Sequence, residues 1–154
     1  MHKLLILGIA ALLHGCASTS STTMLDDVTT DKVYNVVFEG SPDLSGKRVL
    51  ASELEIGEVL TSSQKNGGVT VAKISIQSEY DDLMNSNTVF VASDGMLVHE
   101  ALGDEGEPLN EGDKVLGFTS TTKLVWHKTK MKVQDATNYT KQMAQDLYKK
   151  AGGS

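Results

Sequence analysis

Leu54-Glu55-Ile56-Gly57-Glu58-Val59-Leu60-Thr61 and Val69-Thr70-Val71-Ala72-Lys73-Ile74-Ser75-Ile76, joined through Asn66-Gly67-Gly68, decide the fold. Both runs are rich in aliphatic and β-branched residues, which suit a pleated, half-buried surface. Asn66, Gly67 and Gly68 accept positive φ at little cost, so the stretch predicts two antiparallel strands across a tight turn. Runs of the same kind extend on either side: Val33–Phe38, Arg48–Ala51, Thr88–Ala92, Leu97–Leu102 and Lys114–Phe118. Helical periodicity is absent between them. Short strands at this density, bounded by turn signals from Val33 to Thr119, predict one all-β domain over residues 32–120, as a small barrel or sandwich. Closure would hide the edges through which such a sheet pairs with its neighbours.

After Thr119 the period changes. Trp126, Thr129, Val133, Ala136, Thr140, Met143 and Leu147 recur at steps of three and four, the spacing of one helix stripe. The reading is a C-terminal amphipathic α-helix within residues 121–154, running from about Thr122 to Lys150. Ser120, Thr121 or Thr122 would cap it, Lys149 and Lys150 complement its dipole, and Gly152 ends it. A stripe diluted by threonine needs a partner surface, which is either its own domain or further copies of itself.

Charge divides at the same place. Residues 16–122 carry 18 acidic and 6 basic side chains, a net of −12, whereas residues 123–154 carry 2 acidic and 7 basic, a net of +5. An acidic body argues against nucleic acid as a partner, because that binding needs a cationic footprint. The basic tail can face anionic lipid, an acidic neighbouring subunit or water.

The N-terminus reads as an export signal. Lys3 precedes an apolar stretch from Leu4 to Leu13, followed by His14-Gly15-Cys16. Ten apolar residues are too few to span a bilayer. Leu13-His14-Gly15-Cys16 resembles the bacterial lipoprotein signal, with His14 departing from the usual small residue. The resemblance implies removal of residues 1–15 and acylation of Cys16, which attaches the chain to a membrane; each buried acyl methylene contributes about 0.8 kcal/mol. Cys16 is the only cysteine and can form no internal disulfide. The alternative is a free thiol behind an uncleaved apolar N-terminus. Residues 16–31, rich in Ser and Thr, read as a tether with a flexible-coil reach of roughly 20 Å. The expected location is periplasm-facing and lipid-anchored to a bacterial membrane, inner or outer, with the outer favoured because Ala17 resembles the pattern sorted there.

Little in the chain points to catalysis. After the signal only His99 and His127 remain as histidines, and no ligand spacing accompanies them. His99 and Glu100 are strand neighbours and so face opposite ways. Asp81-Asp82 and Asp104-Glu105 lie in turn-like stretches and read as solvated loops; the alternative is a calcium site, which needs six or more oxygens held together, and no metal or cofactor is expected. The expectation is a protein that is no enzyme.

Four blocks in order resemble the MCE domain of bacterial lipid transporters, including the periplasmic subunit of Mla-type phospholipid transport systems. They are Tyr34-Asn35-Val36-Val37-Phe38 with the Asp43-Leu44-Ser45-Gly46 turn, Leu54 to Leu60 centred on Gly57, Ser93-Asp94-Gly95-Met96-Leu97-Val98, and Leu109-Asn110-Glu111-Gly112-Asp113-Lys114-Val115. The resemblance covers about Val33 to Thr119. It implies a seven-stranded barrel, a homo- or hetero-hexameric ring, and a central apolar channel for phospholipid, served by an ABC transporter permease and ATPase. Gly95, Met96 and Leu97 fall where the family's pore loop meets lipid. Val98 departs from that pattern, replacing a glycine with a β-branched residue, and a lipid anchor departs from the family's transmembrane helix. In the family the segment after the barrel extends the channel as a helical bundle. The competing reading keeps Met96 and Leu97 as ordinary core residues of a surface or periplasmic lipoprotein whose β-domain binds a protein partner without moving lipid.

Overall fold

The alternating runs become seven strands: β1 (Lys32–Glu39), β2 (Arg48–Ala51), β3 (Leu54–Lys65), β4 (Val69–Ile76), β5 (Thr88–Ser93), β6 (Met96–Ala101) and β7 (Lys114–Phe118). Two helices follow, α1 (Thr121–Lys130) and α2 (Ala136–Lys150). The structure, a computed structural model, describes residues 30–130 and 136–153. The signal at 1–15, Cys16, Ala17, nearly all of the tether, and Val133 of the helix stripe lie outside the described residues.

The strands close into a barrel in the order β1-β4-β3-β2-β6-β5-β7, which settles barrel over sandwich. Antiparallel pairs join β1 to β4, β4 to β3, β3 to β2 and β6 to β5. Three parallel pairs complete the ring, β2 with β6, β5 with β7 and β7 with β1. The β3–β4 hairpin turns at Asn66–Gly68, where Gly67 and Gly68 have φ of 74° and 71°.

Side-chain alternation separates two apolar layers. Phe38, Ile56, Ile74, Phe90, Leu97 and Val115 point into the barrel and fill it, while Met84 and Leu109 close one end. The residues between them on β1, β4, β5 and β7 point outward, and these too are buried: Val37, Val69, Val71, Val89, Val91, Leu116 and Phe118 pack under Leu124 of α1 and Ala144, Leu147 and Ala151 at α2. Half of the barrel wall is therefore covered on both faces, as its continuous apolar runs require. The outer face of β2, β3 and β6 carries no such layer; there Arg48 Nε meets Glu55 Oε2 at 2.7 Å in the open.

Closing so small a barrel takes sharp bends. Register shifts between Val49 and Leu50 opposite β3, and between Val59 and Thr61 opposite β4, mark two bulges in β3. Gly57 lies between them, facing Ile76 across the ladder, and a Cβ there would overlap the Ser75 carbonyl oxygen.

The C-terminal segment is helical, as expected; among the described residues it comprises α1 and α2, and both pack on the barrel of their own chain. Ser120 caps α1, its Oγ accepting from the Lys123 N–H at 3.4 Å. At the end of α2, Gly152 (φ 80°) and Gly153 donate to the Lys149 and Tyr148 carbonyls, a Schellman closure. The stripe holds in α2, where Thr140 and Leu147 are buried. It fails in α1, where Leu124 and His127 are buried and Trp126 is 62% exposed. Burial in α1 follows the barrel surface that the helix meets, and that surface takes Leu124 and His127 in place of Trp126.

Gly57→Ala is expected to destabilise the domain by about 3 kcal/mol, at the upper end for overpacking, because the Ser75 carbonyl belongs to the ladder and has little room to move. Urea unfolding followed by far-ultraviolet circular dichroism checks this, and an unchanged midpoint would show that β3 can flatten.

Candidate functional site

Three places on the barrel bring together the residues that the sequence singles out. The first is the end at which β1 and β5 finish. The Gly46 N–H donates to the Gly95 carbonyl at 2.8 Å, so the Asp43–Gly46 turn and the Asp94-Gly95 turn interlock. Asp43 Oδ1 accepts from the Ser45 N–H at 3.0 Å, and that bond holds the Asp43 carboxyl below the usual range. Gly95 has φ of 78°, and a Cβ on it would lie 2.7 Å from Ser45 Oγ. Of the three residues expected to meet lipid, Gly95 is buried in this turn, Met96 is half-buried at the start of β6, and Leu97 is fully buried in the barrel interior opposite Val49 and Ala92. Leu97 thus has no surface in this chain; inward alternation along β6 makes it core.

The second place is the opposite end of the barrel. Asp81, Asp82, Asp104 and Glu105 do not remain scattered loops but border one cleft of about 400 Å³ with Lys32 and Asn85. Lys32 Nζ pairs with Asp81 Oδ2 at 2.7 Å. Among the described residues no three His, Cys, Asp or Glu side chains stand close enough to hold a metal ion. His99 lies nearby with its Nε2 3.0 Å from the Leu83 carbonyl, which makes that nitrogen the proton-bearing one, and its ring meets Phe90 edge-on at 5.9 Å. Glu100 points the other way, to Lys128 of α1 at 3.4 Å, so the two neighbours share no site.

The third place is a groove of about 170 Å³ between the helices and β7. Phe118, Met143 and Leu147 form its apolar floor, with Trp126, Lys123 and Glu39 at its margin. His127 lies beside it, its ring 5.0 Å from that of Phe118. Sequence reasoning missed this groove, although the consecutive apolar residues Val115 and Leu116 of β7 signalled a covering layer on the outer wall. Among the described residues no helix is long and apolar enough to cross a membrane.

No protein-family model matches the chain, and no curated protein matches it.

Leu97→Asn is expected to cost about 4 kcal/mol or more, combining a lost Leu side chain with a buried amide. Against a typical total of about 5–15 kcal/mol this removes much of the stability. A thermal melt lowered by many degrees fits the buried position; a wild-type melt would place Leu97 at a surface.

Burial lowers the pKa of both His99 and His127. The unfolded chain therefore binds more protons than the native one once the pH drops below about 6.5, and stability falls as pH falls through that window. Urea midpoints at pH 7.5 and 5.5 should differ in that direction, and His99→Gln with His127→Gln should flatten the difference. A midpoint that rises on acidification would contradict it.

Proposed function

We propose that this chain is a lipid-anchored, MCE-like component of an intermembrane phospholipid transport system, acting through assembly of its barrel with further copies or related chains and through no catalytic step. The observation that carries the reading is where the four sequence blocks fall on the closed barrel. The first supplies β1 and the turn before β2, the second the bent strand β3, the third the β5–β6 turn and the last the approach to β7. Blocks one and three, about fifty residues apart in the chain, interlock through the Gly46–Gly95 bond. Gly57 and Gly95 stand where a side chain would overlap the ladder or strain the turn. These placements support the resemblance, because each block supplies a bend or turn on which the closed barrel depends.

Within this reading the half-buried Met96 is the lipid-facing element, and Gly95 and Leu97 support it from inside. The interior is packed with side chains, so lipid passes outside the single barrel, along a surface that assembly encloses. One observation favours a second reading: the apolar stripe of α2, which a shared helical bundle would use, is spent on the chain's own barrel. A folded-back tail suits a lipoprotein that stays monomeric and binds a protein partner.

Native mass spectrometry of the full chain, purified from membranes in mild detergent, separates the two. A defined ring or mixed oligomer carrying phospholipid masses is expected. A lipid-free monomer would favour the partner-binding reading and remove the case for transport.

A further inference from the structure

Helix α1 turns its most hydrophobic surface outward. Val125 and Trp126 are 57% and 62% exposed, while the residues that hold the helix to the barrel are Leu124 and His127. The other exposed residues of α1 are polar, so Val125 and Trp126 form an adjacent apolar pair rimmed by polar side chains, the pattern of a contact surface. Lysines flank the pair: Lys123 on one side, and Lys130, whose Nζ lies 3.4 Å from the centre of the Trp126 ring, on the other. Together α1 and α2 carry six lysines against one aspartate, Asp146. Residues 30–120 carry 16 acidic and 6 basic side chains. Positive charge is therefore gathered in the helix layer, on one side of an acidic barrel.

We infer that the outer face of α1, with Val125 and Trp126 flanked by Lys123 and Lys130, docks on an anionic phospholipid surface and orients the barrel against the membrane. The inference rests on the proposed acyl anchor for its strength, since the anchor holds the patch at high local concentration beside the lipid. An acyl anchor by itself leaves the barrel's orientation open, whereas the charge distribution does not. The helix layer is attracted by anionic headgroups and the acidic barrel repelled. Tryptophan and lysine suit this boundary, one placing an amphipathic ring at headgroup level and the other reaching phosphate from an aliphatic stem. The apolar groove over Phe118, Met143 and Leu147 opens beside Trp126 and gives the first methylenes of a lipid a place to rest. A protein partner fits less well, because two apolar side chains are far short of the roughly 800 Å² per partner in a stable interface.

Trp126 is the only tryptophan in the chain, so its fluorescence reports this surface alone. The acylated full chain is reconstituted into vesicles of phosphatidylcholine, with or without phosphatidylglycerol, and quenching by acyl-brominated phospholipid is compared. Docking is expected to give a blue-shifted emission and several-fold stronger quenching on anionic vesicles. High salt should reverse both, as should Lys123→Glu with Lys130→Glu, while the protein still floats with the vesicles. Equal, water-like emission on both vesicle types would overturn the inference. So would an emission that shifts with protein concentration in the absence of lipid, which would assign the face to a second copy. A chain that fails to float would overturn the acyl anchor instead, and titration with excess anionic vesicles then decides the docking by the same fluorescence.

Discussion

Without the parallel ladders that tie β7 to β1 on one side and to β5 on the other, the sheet would be an open ribbon with two free edges. β7 is only five residues long, yet both of its faces are buried. Val115 points into the barrel, and Leu116 and Phe118 point out beneath the helices. The same strand closes the sheet and seats the layer that covers it. Gly117 makes the close approach possible, since a Cβ there would overlap the ring of Phe38 on β1. The two apolar layers therefore meet across one strand, and loosening it exposes both.

Much of this was legible in the residues. The strands were readable because β-branched runs alternate with charge and end at glycine-rich turns; Arg48–Ala51, Val69–Ile76 and Lys114–Phe118 coincide with β2, β4 and β7. The tail was harder. Trp126 is the largest apolar side chain there, and a stripe drawn through it matches Met143 and Leu147, but burial in α1 belongs to Leu124 and His127. Hydrophobicity ranks side chains and leaves the docking phase of a short helix to the surface it meets. The candidate site was similarly divided. Met96, Leu97 and Val98 are consecutive apolar residues, and periodicity cannot say which of them faces inward. The pairing of Leu97 with Val49 and Ala92 decides it, and that pairing is set by distant parts of the chain.

The two halves of the barrel wall follow from the same accounting. On β1, β4, β5 and β7 successive residues are apolar, so both faces need cover, and α1 and α2 supply it outside. On β3 the residues beyond Val59 are exposed, with Ser62, Ser63, Gln64 and Lys65 in sequence, and no second layer is called for. The helices thus sit where the sheet is apolar on both sides. Their outer faces then become the protein's surface on that side, Val125 and Trp126 included, and six of the eleven lysines among the described residues lie on these two helices.

The closing ladder also governs when this protein can finish folding. Asn35 pairs with Lys114, 79 positions further along the chain, and Phe38 with Gly117. Contacts of such separation carry a large loop-closure cost before they give anything back, the condition for slow folding. The first strand to emerge has to wait for the last. Until Lys114–Phe118 arrives, β1 and β5 each keep an open edge, and the outer layer has no floor on which to form. A chain built this way becomes a barrel only once Lys114–Phe118 is available to close it.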